Sequence, residues 1–114
     1  MFHYPFCDQT VTVYRLENGQ VQRQVIHGCS YDWRSRLITT PEGNRRDTVF
    51  SLIMPGCDLR VRVGDRIYDG VGPQITAQQW HGFVPACVLG LGQVSDVRCA
   101  RWNGQITHVE AGNK

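Results

Sequence analysis

Lysine is almost missing from this chain. Lys114 stands alone beside eleven arginines, so the positive charge is carried by planar guanidinium groups, which suit bidentate contacts to carboxylate or phosphate and so suit interfaces. GC-rich coding produces the same skew. The net charge of +2 is too small to demand a nucleic-acid partner. No window approaches the ~20 consecutive apolar residues of a membrane span. The opening MFHYPFCD lacks the basic stretch and apolar run of a secretory signal, which predicts a protein kept in the cytosol or released by lysis. The five cysteines, Cys7, Cys29, Cys57, Cys87 and Cys99, form no C-x-x-C pair. Their odd number and irregular spacing argue against a disulfide framework and for buried, reduced thiols. Internal repeats and low-complexity stretches are lacking too.

The residues that are present read as a mainly β chain. At 114 residues with 41% hydrophobic content it makes a single domain, 1–114, with one core. Thr10–Leu16 alternates Val11 and Val13 against Thr10, Thr12 and Tyr14. Asn18-Gly19 favours the primed hairpin turns, and Val21–Ile26 is the return strand, which Gly28 breaks. Ser30–Ile38 alternates again. Thr40–Asp47 is turn chemistry and charge, which predicts a projecting loop. Thr48–Met54 is the most apolar run and the expected central strand, ended by Pro55-Gly56. Asp58–Asp69, DLRVRVGDRIYD, alternates Leu59, Val61 and Val63 with Asp58, Arg60 and Arg62, then turns at Gly64-Asp65 into a second short strand. Gly70–Pro73 is a glycine-rich loop. Thr76 and Gln79 have capping-box spacing, and Ile75 and Trp80 stand at hydrophobic-staple positions. Pro85 bars further helix, so a short helix is expected over Thr76–Val84. Gly90 and Gly92 mark a loop. Gln93–Trp102 and Gln105–Glu110 form a last hairpin at Asn103-Gly104. Residues 1–8 read as an N-terminal arm and 111–114 as a loose tail. The pattern predicts a small antiparallel β-barrel or sandwich with one short helix.

Candidate chemistry is sparse. His27, Cys29, Cys57 and His81 are metal-ligand types without zinc spacing, and a core cysteine beside a surface histidine accounts for His27-Gly28-Cys29. Cys87 with His81, or Cys29 with His27, supplies a thiol and a base, but no elbow motif surrounds either. Gly70–Gly72 and Gly90–Gly92 complete neither a dinucleotide loop nor a P-loop. Asp32, Asp47, Asp58, Asp65, Asp69 and Asp96 offer no distinguishable catalytic pair. No catalytic residue, cofactor or metal is therefore assigned, and the expectation is a protein that is not an enzyme. Arg34, Arg36, Arg60 and Arg62 alternate with aromatic or aliphatic residues, and Arg45-Arg46 lies on the projecting stretch. Single-strand binding by a small barrel uses such residues, and a solvated face or an inter-subunit salt-bridge surface does too.

From TVTVYRLENGQVQRQVIHGCSYDW through SLIMPG and GDRIYDGVGP to the closing HVEAG, about Thr10 to Gly112, the chain resembles the small minor-capsid or head–tail connector proteins of tailed phages and prophages of Firmicutes. The resemblance rests on element order and on GDRIYDG. It implies a small β-barrel that assembles as a homo-oligomeric ring beneath the portal, closes the filled head as a stopper and offers the tail a docking surface. It implies a location in the virion, made in the host cytoplasm, with portal or adaptor and tail proteins as partners and no membrane. A loop of the family reaches toward the central channel. The matching stretch is Thr40–Asp47, which would bring Arg45 and Arg46 near packaged DNA. Phe2, Tyr4 and Phe6 are candidates for a subunit or portal contact, with an arm folded back on its own barrel as the alternative. A tail terminator of the same neck and a free nucleic-acid-binding barrel are the other readings.

Overall fold

The computed structural model describes residues 7–56 and 60–113, with residues 102 and 105–107 described by backbone alone. Seven strands are formed: β1 (Gln9–Glu17), β2 (Gln20–Thr40), β3 (Gly43–Pro55), β4 (Arg66–Asp69), β5 (Leu91–Gln93), β6 (Asp96–Trp102) and β7 (Gln105–Gly112). Every ladder is antiparallel, and the strands lie in the order β5-β4-β1-β2-β3-β7-β6. Both expected Asn-Gly hairpins form. Asn18 and Gly19 have φ of 54° and 75°, and Asn103 and Gly104 of 52° and 78°, the left-handed pairs that match strand twist.

β5 and β6 are the two edges of the sheet, yet only Val94 and Ser95 separate them in sequence. The sheet must therefore curl until its edges meet. Val94 N–H donates to Asp65 O and its carbonyl accepts from Gly64 N–H, both at 2.8 Å, while Ser95 N–H donates to Gly112 O at 2.9 Å. Among the described residues no ladder closes the seam, so the sheet is an open, barrel-like curl. Its interior holds Val11, Val13, Ile26, Cys29, Tyr31, Phe50, Leu52, Met54, Ile67, Val94 and Val109.

β2 serves both halves of the curl. Its first part pairs with β1 and its second with β3. The ladder steps from Gln9↔Cys29 to Thr10↔His27, which leaves Gly28 as an extra residue at φ 74°. Gly28 thus makes a bulge that bends the strand and does not end it.

The outer face of β1 is covered as well, against the alternation expected of a half-solvated strand. Tyr14, Phe83 and Leu91 form a second cluster with Ile75, Trp80 and Tyr68 against it. The Gly70–Pro73 loop lies over this face. Thr12 Oγ1 donates to Gly70 O and accepts from Gly72 N–H, both at 2.8 Å, and the Tyr14 hydroxyl donates to Pro73 O at 2.7 Å. Arg66, buried in β4, donates from Nη1 to Trp80 O (2.5 Å) and Phe83 O (2.7 Å) and stacks on the Trp80 ring at 3.8 Å.

Several expectations are corrected. Residues 60–65 form no strand; Arg62 and Asp65 close a turn in which Asp65 N–H donates to Arg62 O and Arg62 N–H to the Asp65 carboxylate. Only β4 survives from the expected strand pair, and it pairs with β1. The helix over Thr76–Val84 is a single 3₁₀ turn, Gln79–Gly82, although the capping box does form: Thr76 N–H donates to Gln79 Oε1 at 2.9 Å, and Gln79 N–H to Thr76 Oγ1 at 3.3 Å. Gly92 lies in β5 and not in a loop. The tail is tied down as far as Asn113, whose carboxamide accepts from Phe50 N–H at 2.9 Å and donates to Thr48 O, extending the β7 edge by a side chain. Phe2, Tyr4 and Phe6 lie outside the described residues, as do Cys57, Asp58 and Leu59.

Candidate functional site

Thr40–Asp47 is not an irregular loop. β2 and β3 continue as a paired ribbon to Thr40↔Gly43 and turn on Pro41-Glu42 alone, with the Thr40 hydroxyl donating to Gly43 O at 2.7 Å. The β-branched Ile38, Thr39 and Thr40 favour extended backbone, and Pro-Glu-Gly supplies the turn. The ribbon from Arg34 to Arg46 has no other strand on either side among the described residues, because β1 pairs with β2 only as far as Cys29 and β7 reaches β3 only at Ser51. It projects: Leu37 is 71% exposed, which rules it out as a core residue.

Register assigns each arginine a face. Phe50 and Trp33, directly paired, face the barrel interior and its rim, so Thr48, Ser35, Arg46 and Leu37 continue that face outward. Arg34, Arg36, Ile38, Arg45 and Asp47 take the other. Consecutive arginines 45 and 46 therefore point to opposite sides of the ribbon and form no single patch. Arg36 Nη2 meets Asp47 Oδ2 at 3.0 Å across the strands, an exposed pair that cancels one charge. Arg34, Arg45 and Arg46 make no ion pair among the described residues. Beside the arm a groove of about 340 Å³ is lined by Arg45, Arg46 and Asp47 together with Val84, Pro85, Ala86 and Gln93.

Other sequence candidates separate. Arg60 and Arg62 lie at the opposite end of β2 from the arm, Arg62 at 4.0 Å from Glu17. Cys29 is buried, its thiol donates to Gln9 O at 3.3 Å, and burial pushes its pKa up to about 11, the wrong direction for a nucleophile. His27 is exposed and bonded to the Thr10 hydroxyl at 2.9 Å. No group of three His, Cys, Asp or Glu is placed to hold a metal among the described residues. Asp65 accepts two bonds from Arg15 and Asp69 accepts from Trp33 Nε1 at 2.9 Å, contacts between distant segments, whereas Asp96 makes an exposed pair with Arg98 at 3.0 Å within β6. No described helix is long and apolar enough to cross a membrane.

The strand expected over Ser30–Ile38 runs on to Thr40, which leaves Leu37 and Ile38 on the projecting ribbon. Compared with known protein families, curated proteins and solved structures, the chain matches none.

Proposed function

We propose that this chain is a non-enzymatic subunit of the head–tail junction of a tailed phage or prophage, a minor-capsid or connector protein acting as a stopper in a homo-oligomeric ring. The observation that carries the reading is the projecting Arg34–Arg46 ribbon, an arm with two unpaired edges among the described residues. Free strand edges invite pairing with another chain, and proteins normally cover or pair them. A ring supplies that cover in the assembled virion, with portal or adaptor and tail proteins as neighbours, and with Arg45 and Arg46, on opposite faces of the arm, near packaged DNA. A tail terminator in the same neck is the alternative role within this reading.

One observation favours a second reading, a free nucleic-acid-binding barrel. A two-stranded ribbon fits the DNA major groove, and here it carries arginine on both faces. Native mass spectrometry of the full chain, alone and with the portal and tail proteins encoded beside it, separates the two. The connector reading expects a closed ring or a stoichiometric complex. A monomer indifferent to those neighbours, with salt-steep affinity for a short DNA duplex, would sink it and support the second.

A further inference from the structure

At the other end of β2, far along the strand from the arm, the barrel mouth carries an unmatched positive charge. The ladder pairs Gln22 with Arg15 and Gln24 with Val13 across β1 and β2. Arg60 lies over the same face, and with these residues it lines a depression of about 100 Å³. Val13, 4% exposed, is an apolar floor. The space opens to solvent and has room for a small oxyanion.

Two carboxylates stand at this mouth: Glu17, 4.0 Å from Arg62 and near Arg15, and Asp65, which is 2% exposed and fully engaged. Asp65 accepts from Arg15 Nε at 2.9 Å, from Arg15 Nη2 at 2.8 Å and from Arg62 N–H at 2.9 Å. Arg60 has no ion pair among the described residues, and its Nε is buried with no acceptor. A guanidinium drawn partly out of water without an anion is unfavourable, and an anion on its remaining nitrogens offsets that cost. Arg15 keeps Nη1 uncommitted among the described residues. Gln22 and Gln24 present amide donors from the facing strand, both exposed. Donors from three chain segments thus surround one small space above an apolar floor.

We propose that Arg15, Arg60, Gln22 and Gln24 form a binding site for a single phosphate group, either free inorganic phosphate or a backbone phosphate of a polynucleotide. This site is separate from the arm and does not depend on the role proposed for it. Arg60 and the glutamines bind the anion, and Asp65 holds Arg15 in place for it.

Thermal unfolding and arginine Nε NMR spectra of the full chain, titrated with sodium phosphate against sodium chloride at matched ionic strength, test this site. The expected result is a saturable rise in melting temperature and a shift of the Arg60 Nε resonance with phosphate alone. Arg60→Gln and Gln24→Glu each weaken the apparent affinity about tenfold, the loss of one charge-assisted contact. Gln24 is exposed, so Gln24→Glu keeps the test open even where Arg60→Gln unfolds the mouth. A short single-stranded oligonucleotide then identifies the source. Competition with inorganic phosphate assigns a backbone phosphate, and phosphate binding without such competition assigns the free ion. Equal responses to phosphate and chloride, or wild-type phosphate affinity in Gln24→Glu, would overturn the proposal and leave Arg60 as a cover for Val13.

Discussion

Gly92 has no room for a side chain, because a Cβ there would collide with the Phe50 ring. Phe50 is itself held, 5% exposed and with its ring centroid 5.4 Å from that of Tyr31. Gly92→Ala should therefore lower unfolding stability by about 1–3 kcal/mol, the usual cost of overpacking, read from urea denaturation. A wild-type midpoint would mean that Phe50 moves freely. The cysteines divide by the same logic of position. Cys29 is buried with a raised pKa, whereas Cys87 is exposed. Brief maleimide labelling of the folded chain at pH 8, followed by peptide mapping, should modify Cys87 and spare Cys29. Labelling of Cys29 at the rate of Cys87 would show that β1 and β2 open readily at the Gly28 bulge.

Among the described elements, the arm contributes nothing to the core. No residue from Arg34 to Asp47 belongs to either apolar cluster, and its Arg36–Asp47 pair is solvent-exposed. Ser35 and Thr48 are directly paired, so replacing residues 36–47 by Asn-Gly makes a two-residue hairpin at that point. Stability should change by less than about 1 kcal/mol, in keeping with an exposed ion pair. In the connector reading the same variant loses ring assembly while staying folded. A large loss of stability would mean that the groove against Val84 and Pro85 supports the fold. The outer cover of β1 is a contrasting element. It is a loop and one 3₁₀ turn, held by Thr12, Tyr14 and Arg66 through bonds to its backbone.

At the scale of the whole molecule, the barrel buries groups that ionise only at high pH. Burial raises Cys29 from 9 to about 11, and raises Tyr31 and Tyr14 above the usual 10, with the Asp69 charge adding to Tyr31. The unfolded chain releases these protons first. It then binds fewer protons than the native state, so stability is complete below about pH 9 and falls as pH rises beyond it. The slope amounts to as much as about 1.4 kcal/mol per pH unit for each proton. Urea midpoints measured from pH 7 to 11 should show the decline, and Cys29→Val should flatten it between pH 9 and 11. An unchanged slope in that variant would assign the decline to other groups.

Local chemistry alone determined much of this protein. Asn18-Gly19 and Asn103-Gly104 set two hairpins because two adjacent left-handed residues leave the chain little choice. Thr76 and Gln79 set a capping box for the same reason of short reach. The alternation of Val11 and Val13 and the apolar run through Met54 were enough to read a small, mainly antiparallel β fold. Tertiary structure decided the features that depend on distant partners. Val61 is buried and Val63 exposed with no strand between them, because Asp65 is engaged by Arg15 and Val94, 50 and 29 positions away in sequence. Gly28 bends a strand and does not end it because β3 takes over the pairing that β1 leaves. The arm and the barrel mouth arise from the same fact. Strand edges and unmatched charges are defined by which neighbours are present, and one sequence read along its length does not contain its neighbours.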